Sequence, residues 1–292
     1  MTELMTRDGT WTFDGENVGI TPASGRGVHK LRRYLGEVTV PLAAIAAITH
    51  EPAPKGGQVR LQLRPGTDPL THATQGQLPE AATPYRLGVD SDRTGVAEYF
   101  VDEVRTALQL HPTDHTAEGF ILAGPNVPVT ASASDGRATF DGETIRIEWN
   151  WFSQGKKDPR RIALNEVEGV DWVPNSGFDD GYLRFRLTVN PGTLPPEHDP
   201  NRLTITWGTQ REVATTALLT AAVTAHLARH QTSPRAIQPP AGNDNAQEAT
   251  HAPHNDPDAT LRRLRELGEL YANGVLTEEE FSTAKQALLR RM

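Results

Sequence analysis

Two stretches decide the fold: DGTWTFDGENVGI, from Asp8 to Ile20, and DGRATFDGETIRI, from Asp135 to Ile147. In each, apolar and polar residues alternate on both sides of an Asp-Gly pair, a pattern that predicts a strand, a tight turn and a second strand. Three more stretches match in the same order: VPLAAIAAITHEP (40–52) with IALNEVEGVDWVP (162–174), GQVRLQL (57–63) with GYLRFRL (181–187), and YRLGV (85–89) with NRLTI (201–205). Four matches in register predict a tandem duplication.

Each copy then changes from strand to helix periodicity. Strands are predicted at 38–40, 45–49, 59–63 and 85–89, with loops rich in proline and glycine, such as RPGTDP, between the late strands. From Gly95 to Leu108 the apolar residues recur every three or four positions, which indicates one face of a helix, and residues 213–227 repeat this pattern. The prediction is an α+β protein with two small β-barrels, each closed by a C-terminal helix.

Strands followed by one closing helix resemble the pleckstrin-homology-like (PH-like) superfold. The phrases W.FDG..V.I, PL..I..I, G.VRL.L, PYRL.V and F.D.VR..L resemble the family of tandem PH-like repeats called DUF4429. The resemblance covers nearly all of residues 8–110 and, more weakly, 134–229. It implies two PH-like repeats, and it carries no catalytic residue over to this chain.

The tail has a different character. Residues 231–257 are rich in Pro, Asn, Gln, Ala and Asp, with almost no large apolar residue, so we predict a disordered linker there. In residues 258–292, Asn273-Gly274 is a typical helix stop, Thr277 and Glu280 form a capping box, and a hydrophobic staple flanks that box. We therefore predict two helices joined as a hairpin. An apolar stripe for self-association or partner contact contains Leu261, Leu264, Leu267, Tyr271, Leu276, Phe281 and Leu288.

The pattern L..L..L...G..T..EF...K..LL in this hairpin resembles the short C-terminal domain, SHOCT. That resemblance implies oligomerisation or partner contact. Physical reasoning leads to the same expectation, since a hairpin of this size buries too little surface to fold alone. The predicted organisation is therefore repeat 1 at residues 1–111, repeat 2 at 112–230, the linker at 231–257 and the hairpin at 258–292.

Composition excludes several classes of protein. The net charge of −8 argues against a general nucleic-acid binder, since phosphate backbones favour a basic surface. The absence of cysteine excludes disulfides and thiolate metal sites. The first residues show no charged segment followed by an apolar one, and the longest nearly apolar run contains Pro41, so we expect neither a signal peptide nor a membrane span. We expect a cytoplasmic protein.

Two basic clusters occupy matching places in the copies, between the second strand and the next apolar run. Their members are Arg26, Lys30, Arg32 and Arg33 in repeat 1, and Lys156, Lys157, Arg160 and Arg161 in repeat 2. Lysine and arginine can bind phosphates through charge-assisted hydrogen bonds, so one hypothesis is contact with phosphate or anionic lipid. The alternatives are solvated loops or a basic surface that meets the acidic face of the other repeat.

Two further groups have competing interpretations. In IEWNWFSQG, alternation places Trp149 and Trp151 on the core face, whereas an exposed ring would indicate a partner groove. His251 and His254, with the nearby Asp256 and Asp258, have a spacing that could hold a metal, but a linker lacks the surrounding shell that a metal site needs. We therefore predict no metal and no cofactor.

The chain contains no GxSxG, P-loop, GxGxxG or HExxH motif, and we expect no enzyme. Our leading hypothesis is a binding or scaffold protein: two PH-like recognition modules, a flexible tether, and a hairpin that binds a protein partner or another copy of the chain. The alternative is a peripheral membrane protein, located at the inner face of the membrane, whose basic loops contact anionic phospholipid.

Overall fold

A computed structural model describes residues 1–111, 119–153, 158–176, 179–189, 195 and 198–232. These residues form an α+β protein with four antiparallel sheets and four α-helices, which confirms the predicted class. The chain divides into two compact units, Met1–Ala236 and Ile237–Met292. The predicted hairpin, and the predicted linker from residue 233 onward, lie outside the described residues, as do Lys156 and Lys157.

Repeat 1 contains two sheets followed by a helix. The strands are β1 (Thr2–Thr6), β2 (Gly9–Phe13), β3 (Asn17–Pro22), β4 (Val38–Pro41), β5 (Ile45–Ala53), β6 (Gly56–Leu63) and β7 (Arg86–Val89). The first four strands form one sheet in chain order, and the next three form another. The helices are α1 (Lys30–Leu35) between β3 and β4, α2 (Pro69–Thr74) between β6 and β7, and α3 (Thr94–Leu110) after β7.

Repeat 2 has the same strand order, as a duplication requires. Its strands are β8 (Val129–Ser132), β9 (Gly136–Phe140), β10 (Thr144–Trp149), β11 (Arg160–Ala163), β12 (Val167–Val173), β13 (Gly181–Leu187) and β14 (Arg202–Ile205). The sheets are again four-stranded and three-stranded, and α4 (Gln210–Thr232) follows. The described part of repeat 2 has no counterpart of α1 or α2.

The repeated Asp-Gly pairs form the predicted hairpin turns. Asp14 accepts hydrogen bonds from the backbone N–H groups of Glu16 and Asn17 at 2.8 and 2.6 Å, and Asp141 makes the equivalent bonds at 2.9 and 2.7 Å. These backbone hydrogen bonds lower the pKa of both carboxyl groups. Gly15 follows Asp14 at a φ of 106°, a conformation that other residues rarely adopt.

The sheets do not close into the predicted barrels: in the described residues each repeat has two separate sheets. A carboxylate ties them together at one edge. Asp8, in the first turn of repeat 1, accepts a hydrogen bond from the Gly88 N–H of β7 at 3.0 Å, and Asp135 accepts one from the Thr204 N–H of β14 at 2.9 Å. Gly88 and Thr204 hold equivalent places in the duplication, so both copies keep the same tie.

Two short helices in repeat 1 were not predicted from the sequence. At α1, the ring of His29 accepts a hydrogen bond from the Leu31 N–H at 3.2 Å, and burial lowers the pKa of His29, which favours the neutral ring that can accept. At α2, Asp68 caps the helix by accepting from the N–H groups of Leu70 and Thr71 at 3.1 and 2.9 Å. Both helices lie between predicted strands, in segments where the sequence indicates loops.

Helices α1 and α2 pack against α4 and join the two repeats. Leu31 and Leu70, from repeat 1, belong to the same buried cluster as the core of repeat 2. Three consecutive residues of α4, from Ala221 to Val223, are fully buried, which requires cover on more than one helix face. The repeats therefore form a single compact unit, and a second core, around Trp11 and Phe100, is built from repeat 1 together with Leu122 of the segment that follows it.

Candidate interaction surface

The basic cluster of repeat 1 is only partly exposed. Arg26 is exposed and Lys30 and Arg33 are half-buried, but Arg32 is buried. The Arg32 guanidinium donates through Nη1 to Asp8 Oδ2 at 2.8 Å and through Nη2 to the Asp8 carbonyl at 3.3 Å. Arg32 therefore stabilises the tie between the two sheets. Its assignment to a phosphate-binding surface is wrong, because its charge is already used inside the fold.

Lys30 and Arg33 lie on α1, a helix that touches repeat 2, whereas the exposed Arg26 precedes this helix. The Lys30 N–H donates to Gln210 Oε1, at the start of α4, at 3.4 Å, and Leu31 lies in the shared core. This helix does contact the other repeat, but the observed partners are a glutamine and apolar residues and not the acidic face that the sequence-based alternative required. The contact uses apolar burial and a backbone hydrogen bond.

The basic cluster of repeat 2 is placed differently. Arg160 begins β11 and is half-buried, and Arg161 is exposed. The register sets Arg161 directly opposite Arg146 of β10, on the face of the sheet that points away from the core. Two like charges directly opposite one another destabilise a strand pair, and Arg146 is partly neutralised by Glu148 at 3.0 Å.

The aromatic residues after β10 separate into a buried and an exposed group. Trp149 is half-buried and packs against the core, as predicted. Trp151, in contrast, is 85% exposed, so its placement on the core face is wrong. Strand β10 ends at Trp149 and the chain then turns, which breaks the alternation. The Trp151 ring stacks on Phe152 with 3.7 Å between ring centroids.

Asn150 fixes the turn that carries these rings. Its backbone N–H donates to the Asp135 carbonyl at 3.0 Å and its side-chain amide donates to the Ser134 carbonyl at 2.9 Å. Its side-chain oxygen accepts from the Phe152 N–H at 2.9 Å. The backbone below Trp151 and Phe152 is therefore tied to the turn between β8 and β9.

A third exposed aromatic residue, Trp207, belongs to the same end of repeat 2 and was missed in the sequence. The Thr206 N–H donates to Ser134 Oγ at 2.8 Å, and Ser134 Oγ donates to Glu212 of α4 at 2.7 Å. Trp207 follows Thr206 and is 71% exposed. Ser134 thus accepts hydrogen bonds from Asn150, which precedes Trp151, and from Thr206, which precedes Trp207. We call Trp151, Phe152 and Trp207 the aromatic end of repeat 2.

A signal for Trp207 was present but ambiguous. Period two from Leu203 through Ile205 extends to Trp207 and favours a core position. The strand ends at Ile205 instead, and Gly208 has a φ of 55°, so the chain turns before alternation can bury the ring. A tryptophan followed by a glycine at a strand end is the only sequence cue for this exposure.

A cleft of about 280 Å³ lies between α2, α4 and the second sheet of repeat 2. Its wall includes His72, whose ring meets Phe120 edge-on with centroids 5.3 Å apart. Arg186 and Asp171 face the same cleft and pair at 3.2 Å. These two charges neutralise one another.

The predicted contact residues of the hairpin lie outside the described residues. The same holds for the four linker residues whose spacing could hold a metal: His251, His254, Asp256 and Asp258. Within the described part of the chain, no group of three His, Asp or Glu residues is placed to hold a metal ion. None of the helices described there has the length and apolar character needed to cross a bilayer.

The sequence matches the family described as "Domain of unknown function (DUF4429)" at residues 11–105 and again at 138–224. The chain belongs to the DUF4429 family. The two matched stretches of DUF4429 are the two copies found by internal comparison. A second match, to the "Short C-terminal domain" SHOCT, covers residues 262–289. Both predicted resemblances are confirmed, while a search of curated proteins finds no match.

Proposed function

We propose that this DUF4429 protein is a non-enzymatic scaffold, in which the two repeats act as one recognition head and the SHOCT hairpin assembles copies or recruits a partner. The observation that carries the proposal is the burial of α4 between the two repeats. A head with a shared core holds its surfaces in fixed relative positions. Fixed surfaces suit recognition, because little conformational freedom is lost on binding.

We further propose that each repeat is PH-like. Four strands in one sheet, three in the next and a C-terminal helix occur in the same order in both copies. That order, with the helix packed against the sheets, supports the assignment. Helix α3 contacts β1, β5 and β6 of repeat 1, and α4 contacts β8, β9 and β12 of repeat 2.

Assembly through the hairpin is the testable part of the scaffold proposal. The predicted stripe contains Leu264 and Phe281, so Leu264→Glu with Phe281→Glu places two charges in it. Light scattering should give a multimeric mass for the full chain and a monomeric mass for this variant. Gln286→Glu, at a polar position of the same hairpin, is the control and should keep the multimer. A monomeric mass for the unmodified chain would show that the hairpin does not drive self-association.

Contact with anionic phospholipid is a second candidate function. Fewer basic residues are available for this contact than the sequence predicted. In repeat 1, Arg32 is buried and α1 lies against α4, which leaves Arg26 as the exposed basic residue of that cluster. In repeat 2, the exposed Arg161 lies on the strand that follows the loop bearing Trp151. We assign the lipid contact to repeat 2, where an exposed arginine and an exposed aromatic ring occur together. Vesicle binding that depends on Arg33 but not on Arg161 would contradict this assignment.

A further inference from the structure

We infer that the aromatic end of repeat 2 is a membrane-contact surface that inserts its rings into the headgroup region of an anionic bilayer. This inference rests on the second candidate function above and deepens it, because it assigns the contact to aromatic residues that no basic-loop hypothesis includes. Trp151, Phe152 and Trp207 carry the contact, and Arg161 supplies the nearest exposed positive charge in the described part of β11.

The first argument is exposure. The other tryptophans of the chain are buried or half-buried: Trp11 is fully buried and Trp172 is 2% exposed, whereas Trp151 and Trp207 are largely in water. Exposing a large ring forfeits the stabilisation that its burial would give. Two such rings at one end of one repeat, together with Phe152, indicate a surface that is buried in a different state of the protein.

The second argument is rigidity. Trp151 and Phe152 stack on one another above a turn fixed by Asn150, and the backbone before Trp207 is fixed by Ser134. These hydrogen bonds keep the ring-bearing segments from folding back over the core. The rings are therefore presented outward before any ligand arrives, so binding does not require the backbone to be ordered.

The third argument concerns charge, which indicates that an anionic bilayer covers the aromatic end of repeat 2. Arg161 opposes Arg146 across the strand pair, an unfavourable placement that an anionic surface relieves. Two acidic groups of this region are already engaged, since the exposed Glu148 pairs with Arg146 and the buried Glu212 accepts from Ser134 and Thr209, whereas Asp158, three residues before Arg161, is exposed. No ion pair involves Arg161 among the residues that the structure describes.

The position of Arg161 relative to the aromatic end allows both to contact the same bilayer. Arg146, which faces Arg161, lies three residues before Trp149 on β10, or about 10 Å along the strand at roughly 3.3 Å per residue. Trp151 lies two residues beyond Trp149, so at most about 17 Å of chain separates it from Arg146, a distance at which 0.1 M salt weakens the attraction of Arg161 to a bilayer without abolishing it. Tryptophan favours the bilayer interface, and tryptophan or phenylalanine beside basic residues is typical of surfaces that lie in it.

The net charge of −8 opposes long-range attraction to an anionic membrane. Binding must therefore depend on the rings as well as on local positive charge. This predicts a contact that salt weakens only in part, because burial of the rings is not screened. A contact made through basic loops alone would be abolished by salt, and the salt dependence separates the two modes.

The test is co-sedimentation of the full chain with phosphatidylcholine vesicles, with and without phosphatidylglycerol. We expect binding to the anionic vesicles, and the double variant Trp151→Ala/Phe152→Ala should lower the partition coefficient by on the order of tenfold. Arg161→Gln should lower it about fivefold. Tyr99→Ala is the matched control, since Tyr99 is an exposed ring on α3 of repeat 1, and it should leave binding unchanged.

Three outcomes would overturn the inference: no binding to anionic vesicles, equal binding by the double variant, or a lower light-scattering mass for the double variant with vesicle binding intact. The last result would identify the aromatic end as a contact between copies of the protein. Thermal unfolding that matches the unmodified chain shows that each variant is folded. Running the same series in Leu264→Glu/Phe281→Glu separates failure of the membrane contact from failure of hairpin assembly.

Discussion

The buried ion pair between Arg32 and Asp8 predicts an unequal response to removal of its two partners. The Arg32 side chain is 6% exposed and that of Asp8 is 27% exposed. Asp8→Ala leaves a cation inside the protein with only the Asp8 carbonyl as partner, and it also removes the bond to the Gly88 N–H. Breaking a buried ion pair in this way lowers the free energy of unfolding by about 3–5 kcal/mol. We expect about 3 kcal/mol here, because Arg32 keeps its hydrogen bond to the backbone carbonyl of residue 8.

Arg32→Met removes the cation itself and keeps an apolar chain of similar length in its place. Asp8 then retains the Gly88 hydrogen bond and contacts water, so we expect a cost of about 1 kcal/mol. The double variant should cost about 2 kcal/mol, less than Asp8→Ala alone, because no charge is left stranded. The two substitutions are therefore non-additive, as expected for residues in direct contact.

Urea unfolding of the full chain, followed by circular dichroism, measures these differences as changes in the free energy of unfolding at constant slope. Asp90→Ala is the control, since its partner Arg7 is 92% exposed and exposed pairs contribute between about 0 and 1 kcal/mol. Additive costs in the double variant, or a larger cost for Arg32→Met than for Asp8→Ala, would refute the assignment of Arg32 as a buried structural cation.

Two more predictions concern the shared core and the repeated turns. Leu70→Ala should cost about 2–5 kcal/mol and lower the stability of both repeats in a single transition, whereas separate transitions of the two copies would show independent folding. Asp14 and Asp141 have pKa values lowered from 3.8, so their contribution is present above that pH and is lost as the pH falls through the folded-state values. Asp14→Asn with Asp141→Asn should therefore flatten the acid side of the stability curve in urea titrations, and an unchanged acid limb would contradict this.

The features that the sequence predicted correctly are local ones. The hairpins around Asp14 and Asp141 depend on a side chain that bonds its own next residues, and the alternation of Trp11 and Phe13 is visible within five positions. Helix α3 was predicted because its buried residues recur over 17 residues, enough turns to show a period. In each of these cases the information lies within one element.

The features that the sequence did not predict depend on tertiary contacts. Helices α1 and α2 have six residues each, too few to show a helical period, and they are stabilised by packing on α4 far along the chain. Arg32 looked like a surface charge because its partner Asp8 belongs to an earlier turn. Trp151 and Trp207 lie just beyond strand ends, where alternation no longer says which face a residue occupies.

The position of α4 has a consequence for how this architecture could be inherited. A duplicated unit can normally be lost, moved or multiplied by recombination, because each copy keeps its own finished surface. Here the last helix of the second copy packs against α1 and α2 of the first, so excision of residues 1–111 would remove this cover from α4. The pair has thus become the smallest unit that selection can keep or discard.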